Sequence, residues 1–199
     1  RLMRTIRKKW RRFKKPEEAS GTKEEMVCHS GAEMQWIGGL MAALYPGVTV
    51  KVEAVIDSID KGNAFLLSDA IIENVVYEYD EAHFHGDHMR DVRKTNALAE
   101  RGATRIVRLR RGCESIKPSL DLDDGCEYIE VITKSQSPKA QVEATVKALG
   151  LKPPPDAKLK MGIQTGKLAH QHIDKLVQER RKELEVKYGE ELGKKIYDV

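Results

Sequence analysis

Between residues 69 and 94 the chain concentrates side chains that hold metals or move protons: Asp69, Glu78, Asp80, His83, His85, Asp87, His88 and Lys94. Two chemistries fit these types. One is a zinc cage made from HFHGDH, residues 83–88; the other is a magnesium site made from the carboxylates, with one histidine assisting. FLLSDAII and VVYEYD are strand-like runs separated only by Glu73–Asn74, which predicts a tight hairpin. A two-residue turn there sets Ile72 opposite Val75, Ile71 opposite Val76 and Asp69 opposite Glu78. Asp80 then shares a face with Glu78, because side chains alternate along a strand. Opposed carboxylates repel unless a positive charge lies between them, so Asp69, Glu78 and Asp80 suit a hard divalent cation. A solvated hairpin face whose acids pair with Arg and Lys would show the same three residues.

The elements that must position this group are legible around it. Ser30 followed by Glu33 is a capping-box pattern and predicts a helix from Ser30 to just before Pro46–Gly47. TVKVEAVID, residues 49–57, alternates as a strand does. The stretch from Asp87 to Arg101 favours helix, with Gly102 placed as a C-terminal cap. RIVRLR and EYIEVITK are further strands, and Ser137–Pro138 starts a helix that runs to about Leu149–Gly150. After the stiff LKPPPDAK, Ile173, Leu176, Val177, Leu184, Tyr188, Leu192 and Ile196 fall near helical spacing among charges. The order predicts an α/β (α+β) protein, a mixed sheet flanked by helices. Its expected divisions are a basic arm and linker over 1–22, a core over 23–136 and a helical extension over 137–199.

EYDEAHFHGDHMRDVRKTNALAERGATRIVRLR resembles the core of the very-short-patch-repair endonucleases, a branch of the PD-(D/E)XK, restriction-endonuclease-like superfamily. The elements that carry the likeness are Glu78–Tyr79–Asp80, Phe84–His85, Arg90–Asp91 with Lys94, and the strand from Ile106 to Arg110. The resemblance covers about residues 30–112. The resemblance implies a restriction-endonuclease-like fold and Mg²⁺-dependent hydrolysis of DNA phosphodiesters, with Mn²⁺ as a substitute and no organic cofactor. It places Asp69 and Glu78 as metal ligands, helped by the carbonyl of Tyr79, and His85 as the group that orients or deprotonates the attacking water. Asp80 stands where the superfamily carries its catalytic lysine, and Glu81 stands where the branch has glycine. Lys94 is then a substitute cation on the following helix. Glu33 faces the site if it is not spent on its cap. Arg90, Lys94 and Arg101 share a helical face, and Arg108 and Arg110 share a strand face, so both sets are expected on a phosphate backbone.

Two other functions fit parts of the chain. The same fold with a decayed site would be a DNA-binding module without catalysis. His83, His85, Asp87 and His88 also match the H-x-H-x-D-H signature of metallo-β-lactamase-like zinc hydrolases. That fold needs further ligands, and the only later histidines are His170 and His172.

The charge distribution favours a nucleic-acid partner. Residues 1–15 hold nine Lys or Arg and no acid, and the remaining chain has 26 basic against 31 acidic residues. Trp10 and Phe13 interleave this arm, which suits phosphate contact and base stacking or a nuclear or organellar targeting segment. Cys28, Cys113 and Cys126 are few, odd in number and widely spaced, which suggests a reducing intracellular compartment. No apolar run reaches the roughly 18–20 residues of a membrane span. The apolar stripe of the C-terminal helix suits a homodimer or a protein partner. The chain begins without Met, as a fragment or a processed form would.

Overall fold

Ser30 fixes where the first helix begins. Its extended backbone and side chain form a reciprocal cap: Oγ accepts from the Glu33 N–H at 3.1 Å, and the Glu33 carboxylate accepts from the Ser30 N–H at 3.1 Å. The computed structural model describes residues 25–26, 30–46, 68–72, 74–83, 87–100, 102–122 and 125–188. Within them the strands are β1 (Glu25–Met26), β2 (Ala70–Ile72), β3 (Val75–Glu81), β4 (Arg105–Arg111) and β5 (Glu127–Thr133). The helices are α1 (Gly31–Leu44), α2 (His88–Glu100), α3 (Pro138–Ala148) and α4 (Asp156–Tyr188). The strands form one sheet in sequence order. The β1–β2 and β2–β3 pairs are antiparallel, and β3, β4 and β5 run parallel. This is the mixed α/β class that the sequence predicts. The expected strand over 49–57 lies outside the described residues.

The hairpin has the predicted register, Ile72 opposite Val75 and Ile71 opposite Val76. Asn74 supplies the left-handed backbone that so tight a turn requires, with φ of 64°. The ladder ends one residue earlier than expected. Asp69 bends out of it, and its Oδ2 accepts the Tyr79 N–H at 2.5 Å in place of a backbone carbonyl.

Alternation along β3 and β4 gives the sheet two unlike faces. Tyr77, Tyr79, Val107 and Leu109 pack with Val131 beneath α1, α3 and α4, against Trp36, Leu40, Val142, Val146 and Leu159. Trp36 donates from Nε1 to Thr145 Oγ1 at 3.1 Å, and its ring lies 5.7 Å from that of Tyr79. The other face, beneath α2, starts apolar at Val76 and Ile106, packed with Leu98 and Ala103. It turns charged toward the C-terminal ends of the strands, at Glu78, Asp80, Arg108 and Arg110.

α3 and the first turns of α4 complete the core of the sheet, so the boundary expected at 136–137 does not separate two cores. The seat of α4 begins ahead of the predicted stripe, at Leu159, Gly162, Ile163 and Gly166, and Ile173 of that stripe packs against the same core. A Cβ on Gly166 would stand 2.0 Å from the Met34 carbonyl oxygen, and one on Gly38 would stand 2.3 Å from that of Gly162. The backbones of α1 and α4 therefore meet through glycine. That contact leaves α1 buried from Glu33 through Leu40, apart from Gln35, whose side chain bonds back to the Gly31 carbonyl.

Candidate active site

The hairpin, α1 and α2 bring four ionisable side chains to one end of the sheet. Glu78 projects from β3 and is 1% exposed. Lys94 reaches it from the second turn of α2, with Nζ donating to Glu78 Oε2. Asp69 sits at the mouth of the hairpin, and Glu33 enters from α1 while keeping its cap. Burial raises the Asp69 carboxyl well above its ordinary pKa, and the negative charges of Glu33 and Glu78 add to that rise. The Lys94 ammonium and the Tyr79 N–H work in the opposite direction and do not offset it. Glu33 thus keeps its cap while its charge acts on Asp69. Lys94 and, at 3.8 Å, Arg108 both set positive charge against Glu78.

The oxygen donors of Asp69, Glu78 and the Tyr79 carbonyl are of the kind that a hard divalent cation takes. Glu78 Oε1 is buried and has no hydrogen-bond partner among the described residues, an acceptor left for a ligand. As the side chains stand, no three His, Cys, Asp or Glu among the described residues are grouped so as to hold a metal ion. The donor chemistry therefore fits such an ion, while the ammonium of Lys94 occupies one oxygen of Glu78.

No family model, curated protein or solved structure matches the chain.

Asp80 departs most from expectation. It is 0% exposed and belongs to a buried ion network rather than to the acidic pocket. Arg108 grips it with two bonds, Nε to Oδ2 and Nη2 to Oδ1, each 2.8 Å, and Arg110 adds a third at 2.6 Å. Arg110 also donates to Asp91 Oδ2 at 3.1 Å and to the Glu114 carbonyl at 2.7 Å. Burial disfavours the charge of Arg108, but Asp80 and then Glu78 and Asp91 outweigh it and hold the guanidinium above its usual range. The parallel register sets Glu78 beside Arg108 and Asp80 beside Arg110, and the next strand sets Glu130 beside Arg108. Oppositely charged neighbours across strands stabilise the sheet, and here they are its interior. Arg108 and Arg110 are accordingly unavailable to a phosphate backbone, which corrects their expected role. The missed signal was the matching two-residue spacing of E-Y-D in one strand and R-L-R in its neighbour.

The remaining predicted residues divide. Arg90 is exposed on α2 and free to meet an anion at the surface, whereas Lys94 turns inward. His85 and Arg101 lie outside the described residues. The described parts of HFHGDH do not converge: Asp87 Oδ1 caps α2 by accepting from the Arg90 N–H at 3.0 Å, and His88 Nε2 meets Ser119 Oγ at 3.3 Å. Cys113 and Cys126 are thiols whose pKa burial raises, which disfavours thiolate chemistry. No helix among the described residues is long and apolar enough to cross a membrane.

Proposed function

We propose that the chain is a metal-dependent endodeoxyribonuclease whose site consists of Asp69, Glu78 and Lys94, with Glu33 shaping its field. The observation that carries this reading is Lys94. The catalytic cation that the resemblance expects two residues after Glu78 is absent from that strand position, and α2 delivers an ammonium to Glu78 instead.

Asp69 and Glu78, with the Tyr79 carbonyl, would hold Mg²⁺ or Mn²⁺. When bound, such an ion polarises the scissile phosphate and lowers the pKa of water. Lys94 supplies a positive charge for the non-bridging phosphate oxygens as negative charge develops on them. Glu33 and Glu78 favour a cation there before the polyanion arrives, and that cation would in turn favour the ionised form of Asp69. Asp80 acts only through the frame, by holding Arg108 and Arg110 under the helix that carries Lys94. Arg90 and the basic segment 1–15 provide sequence-independent contact with the backbone of DNA.

The test is cleavage of supercoiled and single-stranded DNA by the full chain in Mg²⁺, Mn²⁺, Zn²⁺ or EDTA, beside Asp69→Ala and Lys94→Ala. Nicking that requires Mg²⁺ or Mn²⁺ and is lost in both variants supports the assignment. Protein that binds DNA and never cuts it would make the chain a binding module. Stoichiometric zinc with no effect of Asp69→Ala would move the chemistry to the histidines.

A further inference from the structure

Lys94 has a second consequence that a purely phosphate-binding role does not require. Its ammonium takes Oε2 of Glu78, while Oε1 of the same buried carboxylate has no hydrogen-bond partner among the described residues. Asp69 has both Glu78 and Glu33 within electrostatic reach. A divalent ion drawn to these acids meets a positive charge already on one of them, and like charges at contact distance repel strongly when water is scarce.

We propose that Lys94 and the divalent cation are alternative occupants of the Glu33–Asp69–Glu78 pocket. The lysine holds Glu78 until the ion displaces it, and the released ammonium then faces the phosphate. The proposal rests on the nuclease reading and adds how the site is loaded.

The mount of Lys94 makes this an exchange of one side chain rather than of a helix. Arg108 donates to Thr95 Oγ1 at 2.6 Å and to the Asp91 carbonyl at 3.5 Å, and Arg110 holds the Asp91 carboxylate. These buried bonds fix the turn of α2 on either side of Lys94. The lysine side chain itself is 22% exposed, so its flexible stem can rotate toward solvent without disturbing that turn. Arg108 also stands 3.8 Å from Glu78 Oε2, so the carboxylate keeps a positive neighbour throughout the exchange. Because the ion frees the lysine that meets phosphate, ion and DNA should each tighten the binding of the other.

The experiment is calorimetric titration of the full chain with Mg²⁺ in the absence of DNA, for wild type, Lys94→Met, Lys94→Arg and Glu78→Gln. Lys94→Met should bind Mg²⁺ about tenfold more tightly or better, a change of about 1.4 kcal/mol. Lys94→Arg, which keeps the charge, should stay within about threefold of wild type, and Glu78→Gln should bind far more weakly. Amine labelling of wild type, read by mass spectrometry, needs no variant: Lys94 should label at least about threefold faster at saturating Mg²⁺, as a released amine would. Unchanged or weaker binding by Lys94→Met, or labelling indifferent to Mg²⁺, would overturn the exchange. If Mg²⁺-dependent cleavage persists beside that result, the nuclease assignment stands without it. No saturable Mg²⁺ binding by wild type or Lys94→Met would overturn both.

Discussion

Replacing Asp80 with Ala should destabilise the protein by about 3–5 kcal/mol, the usual cost of removing one partner from a buried ion pair. The structure gives the reason for so large a value. Asp80 receives three charge-assisted hydrogen bonds of 2.6–2.8 Å from two arginines that are themselves buried. Without it, Arg110 keeps Asp91, but Arg108 is left with carboxylates at 3.8 Å, the Thr95 hydroxyl and a long bond to the Asp91 carbonyl. That loss is a large share of the roughly 5–15 kcal/mol that stabilises an ordinary domain. For a chain of this size it amounts to a fall of roughly 6–20 °C in Tm. Thermal and urea denaturation at neutral pH, followed by far-UV circular dichroism, would measure it. Asp80→Leu combined with Arg108→Met should recover much of the loss, because the pair is removed together and the cavity refilled. A loss under about 1 kcal/mol would refute the reasoning, as would an unchanged Tm with a large drop in Mg²⁺ affinity. Either result would return Asp80 to the metal site.

Four further outcomes follow from the same structure. The Asp69 carboxyl is raised in the folded state from an ordinary value of 3.8, so folding takes up a proton between those two pKa values. Its contribution to stability is greatest below pH 4 and is lost as pH rises through the folded pKa; Asp69→Asn should flatten that decline and raise the urea midpoint at pH 7. Gly166→Ala places a methyl 2.0 Å from the Met34 carbonyl oxygen, and backbone must move to admit it; the expected cost is about 1–3 kcal/mol or more, read as a lower Tm. Arg90→Ala should weaken DNA binding about uniformly across sequences and reduce the slope of log affinity against log salt by about 1, without altering Tm. Arg108→Ala, by contrast, should fail in the melt before any DNA is added.

Local signals carried the sequence reading far. Ser30, Glu33, Ser137 and Pro138 mark helix starts through bonds made within three residues, and they mark them correctly. The hairpin register was legible because one turn, Glu73–Asn74, sets every pair beyond it. What was obscure depended on partners distant in the chain. Whether Asp80 faces a metal or an arginine is decided by β4, some thirty residues on, and by the parallel pairing that puts R-L-R alongside E-Y-D. Ile173 of the predicted stripe does pack on the core, but the earlier part of the α4 seat was not legible because apolar periodicity rewards large side chains, and there the helix docks through glycine, which has none. Lys94 was readable as a surface lysine or a site cation, and only the turn of α2 beside Glu78 separates the two.

The meeting of α1 with α4 has a bearing on how the chain is made. More than a hundred residues separate the two helices in sequence. At about 5–20 residues per second, the ribosome exposes α1 roughly 5–20 s before its partner has been synthesised. Throughout that interval a helix apolar on nearly every side, Trp36 and Leu40 included, has the sheet to cover only part of it. The nascent protein should therefore depend on holding chaperones until Gly166 leaves the exit tunnel, and folding should close late, from the C-terminal side.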